Sequence, residues 1–178
     1  MQSSSHPENL SALAIEAKTD PAAFARLYDH YVQPVYRYLY SRVETVHAAE
    51  DLTSQTFIAA FEALPRYRED GHFAAWLFQI ARNKLTDYFR GNRLVVSVEA
   101  AERHSDGEDL LDQVIRDEET RRLAALIKSQ EEGERDLIRL RYAADLSFAA
   151  MADLLGKRED AVRKSVYRLL ARLKAQLE

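Results

Sequence analysis

Between Lys157 and Lys174 stand seven bases, Lys157, Arg158, Arg163, Lys164, Arg168, Arg172 and Lys174, against two acids, a local charge of +5. Such side chains bond to phosphate oxygens and to the edges of bases. Their spacing allows this from one helix. Val162, Val166, Leu169, Leu170, Leu173 and Leu177 recur at helical intervals and form one apolar face. At about 100° per residue, Lys164, Tyr167 and Arg168 point away from that face, Arg163 flanks them, and Arg158 stands at the start. The preceding string LSFAAMADLLG reads as a helix closed by Gly156. Helix, short turn and basic helix make a helix-turn-helix, which places its second helix in the major groove of DNA. The competing reading is a helical hairpin with a solvated basic face.

A second group lies in FAAWLFQIARNKLTDYFRGNR. Phe73, Leu77, Ile80, Ala81 and Tyr88 are expected to form its buried stripe, with Trp76, Asn83 and Arg90 in line at the edge. Phe78, Arg82, Phe89 and Arg90 fall outside it. Residues 82–93 carry Arg82, Lys84, Arg90 and Arg93 against Asp87, a local +3. Aromatic rings stack on unpaired bases, an amide reads a base edge, and cations hold phosphates, so this mixture suits an unstacked strand. A third group is AAEDLTSQTFIAAFEAL. Phe57, Ile58, Phe61 and Leu64 are expected to face inward, leaving Asp51, Leu52, Gln55, Ala59 and Glu62 outside. An outward Leu52 beside acids and an amide has the composition of a protein-docking face.

Positioning these groups calls for helices. Five Gly and four Pro are spread over 178 residues, 47% of them apolar, which favours an all-α chain with a real core. Asp20-Pro21 is a helix start. The aromatic-rich helix that follows is expected to kink or split at Pro34. A second helix reads over about 48–64 and stops at Pro65, and a third over about 73–90, ended by Gly91-Asn92. Residues 1–19 read as a loose segment and 20–93 as an N-terminal helical domain. Residues 94–112 read as a flexible acidic linker, and 113–178 as a second helical domain. Residues 97–119 hold nine acids and two bases, a local −7.

Other classes fit poorly. There is no Cys, hence no disulfide and no thiolate metal site. The N-terminal string lacks the charged and apolar regions of a secretory signal, and no apolar run is long enough to span a bilayer, so membrane insertion is not expected. His6, His30, His47, His72 and His104 are scattered; His47 and Glu50 make one reversed pair where a metal bundle needs repeats. Neither a phosphate loop nor a nucleophile motif appears. No cofactor, small-molecule substrate or enzymatic activity is expected. A net charge of −4 speaks against uniform coating by nucleic acid, not against local patches.

AEDLTSQTF, AAWLFQIARNKLTDYFR and the terminal helix-turn-helix, in this order, resemble the small two-domain extracytoplasmic-function sigma factors of bacteria, over roughly residues 20–178. The resemblance implies two helical domains on a flexible linker, a cytoplasmic protein without catalytic activity, and core RNA polymerase, promoter DNA and an anti-sigma factor as partners. It implies that Asp51, Leu52, Gln55 and their neighbour Glu62 dock on polymerase. Trp76, Arg82, Asn83, Lys84 and Arg90 would meet the melted −10 element, with Asn83 on an extruded base. Arg158, Arg163, Lys164, Tyr167 and Arg168 would meet the −35 duplex. Two positions depart from the family pattern: Arg163-Lys164-Ser165 replaces a KSR-like triplet, and Thr56 stands where an acid is common. A sigma mimic that binds a regulator without DNA, or a plain helix-turn-helix repressor, are the competing functions. The first leaves the basic face and the Asn83 line unexplained, the second the first 95 residues.

Overall fold

The computed structural model describes residues 10–43, 45–68, 72–96 and 118–177, and every regular element among them is helical. The first is α1, Leu10–Glu16, where a loose segment was expected over residues 1–19. It forms because Leu13, Ala14 and Ala17 bury themselves against the next helix. That helix, α2, spans Pro21–Tyr40; Asp20 caps it, its carboxylate accepting from the Ala22 N–H at 2.9 Å. It runs through Pro34 without splitting, held by Tyr31, Val35, Tyr38 and Leu39, all buried around the proline. Helix α3, Val46–Ala63, is capped by Thr45 and ends in a 3₁₀ turn over Leu64–Arg66 at Pro65.

Helix α4 spans Phe73–Val96 and continues past Gly91-Asn92. A glycine ends a helix by taking the left-handed conformation, and among the described residues Gly156 is the only glycine with a positive φ. Residues 94–96 of the expected linker therefore finish α4, and the rest of it lies outside the described residues. The C-terminal helices are α5 Glu118–Lys128, α6 Glu132–Ile138, a π-turn over Arg139–Ala143, α7 Phe148–Leu155 and α8 Glu159–Leu177.

The packing of α2, α3 and α4 makes the N-terminal unit, while α8 gathers α5, α6 and α7 into the C-terminal one. The two units meet where α7 packs on α4 and the π-turn on α2. Leu140, Leu146, Ala150 and Met151 belong to the same apolar core as Tyr38, Leu77 and Phe78. Phe78, expected outside the stripe, is fully buried, with its ring edge-on to Tyr38 at 5.5 Å. It lies in the core that Leu140 and Met151 of the C-terminal unit also join, which periodicity cannot reveal.

Polar links cross the same seam. The carboxylate of Asp136, only 7% exposed, accepts from the Tyr38 hydroxyl and from Arg42 Nη1, each at 3.1 Å, and faces Arg82 Nη2 at 3.3 Å. Burial, and then the Asp136 charge, push the Tyr38 hydroxyl well above its ordinary pKa. His72 Nδ1 lies 2.6 Å from Asp153, whose carboxyl the imidazole holds below the usual range.

The turn between α7 and α8 depends on Gly156 at φ 60° and ψ 37°, with the Lys157 N–H donating to Ala152 O at 3.0 Å. A Cβ there would meet nothing within 4 Å, so only the backbone conformation opposes it. We expect Gly156→Ala to lower stability by about 1 kcal/mol, read from urea denaturation; an unchanged midpoint would refute the conformational account.

Candidate functional site

Helix α3 is turned differently from its expected orientation. Its core face consists of Ala49, Leu52, Thr53, Thr56, Phe57 and Ala60, whereas Ile58 is 60% and Phe61 51% exposed. Small residues at 49, 53, 56 and 60 let the backbone approach its neighbours closely. The Thr53 and Thr56 hydroxyls cost little there, because each donates to the carbonyl four residues back at 2.7 Å. Two expectations are thereby corrected: Leu52 does not face outward, and Ile58 and Phe61 do not face inward. Thr56 is fully buried, so the acid missing at that position is missing from the core side.

The outward face is nevertheless a mixed one. At about 100° per residue, Asp51, Gln55, Ile58 and Glu62 fall within a strip roughly 60° wide, and all four are exposed. Ile58 supplies the apolar element the sequence placed on Leu52. Beside the strip, Phe61 stands edge-on to Phe24 at 5.0 Å, and Tyr28 to the buried Phe57 at 4.7 Å.

A groove of about 420 Å³ separates this strip from α4 and is lined by Ala48, Asp51, Leu52, Gln55, Lys84, Asp87 and Tyr88. Lys84 therefore borders the α3 strip as well as the outer face of α4. On that face Asn83 is exposed, and its side-chain oxygen accepts from Gln79 Nε2 at 3.0 Å. Gln79 was not foreseen as a site residue, although its place one turn before Asn83 is the available signal. The amide donors of Asn83 are left for another acceptor. Arg90 is exposed and paired with Asp87 at 2.8 Å. Trp76 is half-buried against Tyr67 and Phe73, at 4.9 and 5.3 Å between ring centres, so it is braced from the core. Arg82 is turned away from this group, toward Asp136.

On α8, Lys164, Tyr167 and Arg168 are exposed on the side opposite the buried Val162, Val166, Leu169 and Leu173. Arg158 and Arg163 are exposed too, each in a local ion pair, with Asp160 and Glu159 respectively. Exposed pairs of this kind contribute about 0–1 kcal/mol and exchange readily for another anion. Phe148, at the start of α7, braces the turn: the Arg141 and Arg163 guanidiniums lie 5.2 and 5.4 Å from its ring centre, and the Tyr167 ring 5.8 Å. Arg172 is held by Glu134 at 2.6 Å and Gln130 at 2.9 Å, a link to α6 rather than an open cation.

The family profile described as Sigma-70 region 2 matches residues 27–95, which take in most of α2, all of α3 and nearly all of α4. The ECF RNA polymerase sigma factor ShbA of Streptomyces griseus is 32% identical over 154 residues, covering 80% of this chain and 81% of ShbA. This chain belongs to the ECF RNA polymerase sigma factors. BldN of Streptomyces coelicolor is 35% identical over 155 residues, and the chain spans 59% of that longer relative. Among solved structures, CnrH in complex with the cytosolic domain of CnrY superposes with a TM-score of 0.62 at 25% identity, over 94% of this sigma factor and 96% of CnrH. That superposition takes in both helical units.

The reassigned face of α3 has a direct consequence for stability. We expect Leu52→Ala to cost about 2–5 kcal/mol as a core truncation, and Ile58→Ala to stay within about 0.5 kcal/mol of the parent. Chemical denaturation of the two variants checks this, and the opposite order would mean that α3 is turned the other way.

Proposed function

We propose that this sigma factor docks on core RNA polymerase through the α3 strip of Asp51, Gln55, Ile58 and Glu62, with Leu52 supporting the strip from beneath. Residues 20–93 then serve as the polymerase-binding and −10 unit and residues 113–178 as the −35 unit. Trp76, Arg82, Asn83, Lys84 and Arg90 engage melted −10 DNA, with Asn83 on the extruded base. Arg158, Arg163, Lys164, Tyr167 and Arg168 engage the −35 duplex. The observation that carries this reading is the groove shared by Asp51, Gln55 and Lys84, which makes the docking strip and the strand-binding face of α4 neighbours. A polymerase surface held on α3 thus delivers a single strand to α4. CnrH was solved with the cytosolic domain of CnrY, and RpoE of Bartonella quintana, alike in fold, with the anti-sigma factor NepR. By extension we assign this chain an anti-sigma partner of its own.

Ile58→Asp, which leaves the core intact, is expected to weaken co-elution with core polymerase by at least about tenfold in affinity, the cost of an unpaired charge at the centre of an interface. Full retention of binding would remove α3 from the docking surface. The two DNA sites should separate cleanly. Losing Lys164 or Arg168 should cost about 1–3 kcal/mol in duplex affinity if the residue holds a base, with relaxed specificity at that position. If it holds only a phosphate, binding should weaken evenly across sequences with a smaller salt slope. Asn83→Ala should spare binding of the −35 duplex and impair strand opening, read by permanganate reactivity of promoter thymines. Promoter opening equal to the parent's, with the same base preference, would sink the base-capture role.

A further inference from the structure

We propose that Asp136 is an intramolecular latch that closes the C-terminal unit onto the N-terminal one by occupying Arg82, a cation of the strand-binding face; the inference rests on the nucleic-acid role given to Arg82 above. Among the described residues Asp136 is the one charged side chain in the buried class. It belongs to α6, yet the three donors that face it, Tyr38, Arg42 and Arg82, all belong to α2, α4 and the turn after α2. A carboxylate set between two guanidiniums and a hydroxyl has the hydrogen-bonding pattern of a bound phosphate. Arg42 reaches further, to Glu132 at 2.9 Å, so α6 offers two acids to the same cation.

The position of Arg82 gives this contact a consequence. It precedes Asn83 on α4, and it lines a groove of about 500 Å³ together with Lys157, Ser165 and Arg168 of the C-terminal unit. In the closed form the basic face of α8 therefore borders α4, and the guanidinium at the border is taken by a carboxylate. Strand binding at Arg82 and the Asp136 contact exclude each other. A phosphate backbone competes with Asp136 for the same donors, and on release all four groups regain water. Desolvation offsets much of the attraction in a buried ionic cluster, so a latch of this kind can be opened by a competing anion. The free chain is thus held closed, and nucleic acid binding is coupled to separation of the two units.

The sequence contains no cysteine, so Ala25→Cys on α2 and Ala171→Cys on α8, both exposed, give two unambiguous sites for spin labels in the full chain. Electron–electron double resonance on the labelled parent should show one narrow distance distribution. Asp136→Asn should lengthen and broaden it. Arg42→Gln, at a partly exposed position, should do the same, and it keeps the test decisive if the change at Asp136 reduces helicity. In the same variants, affinity for a fluorescent single-stranded oligonucleotide, read by anisotropy, should rise about fivefold or more, as expected when a masked state is depopulated. A broad distance distribution in the parent, or no change in either variant, would overturn the latch. Opening without a gain in affinity would overturn the masking. Neither readout involves polymerase, so a chain that opens as described but fails to bind core enzyme would sink the docking assignment and leave the latch standing.

Discussion

Helix α4 has to be covered on more than one side. Phe73, Ala74, Ala75, Leu77, Phe78, Ala81 and Leu85 are all buried along it, and no single neighbouring helix can shield so wide an arc. Helices α2 and α3 cover part of it and α7 packs on it as well, and Phe78, against Tyr38 of α2, lies in the core that residues of both units share. Much else follows from this. The arc left open is the one that presents Asn83 and Arg90. The position of Arg82, 40° from Phe78 on the helical wheel, turns it to the side on which the C-terminal unit sits. The same geometry that buries Phe78 therefore brings Arg82 to Asp136.

The seam between the two units combines two kinds of contact with different responses. Its apolar part, where Leu140, Leu146 and Ala150 join the N-terminal core, offers a competing anion no group to displace. Its ionic part, around Asp136, is not, because every partner in it has an alternative in water or in phosphate. Positioning by the first and release through the second is a workable division for the two nucleic-acid faces proposed above. The His72–Asp153 contact joins the loop before α4 to α7 at the seam's edge, where both groups are about half exposed, and adds direction more than strength.

Small polar residues decided the face of α3. Threonine at 53 and 56 reads as polar in any hydropathy pattern, yet both hydroxyls are satisfied within the helix and both residues are buried. Large apolar residues at 58 and 61 read as core, yet both are more than half exposed, Phe61 meeting α2 only at its margin, edge-on to Phe24. The exposed Ile58 between Asp51, Gln55 and Glu62 is what a docking surface requires, and it emerged from packing and not from periodicity. On α4, likewise, Gln79 orients Asn83 through a bond between neighbouring turns that no hydrophobic pattern signals.

Residues alone determined the all-helical class, because few glycines and prolines interrupt long runs of helix formers with strong caps at Asp20, Thr45 and Ser147. They also determined the helix-turn-helix: its apolar face at 162, 166, 169 and 173 and its left-handed Gly156 are local features, and local features are legible in a linear string. Tertiary structure decided the rest: that Leu10–Glu16 folds onto α2, that α2 passes Pro34 intact, that Leu52 is inside and Ile58 outside, and that Arg82 meets a carboxylate 54 residues further along the chain. Each depends on which second element arrives at a helix face. A helical period gives the width of an apolar arc, but it carries no record of how many neighbours will share it.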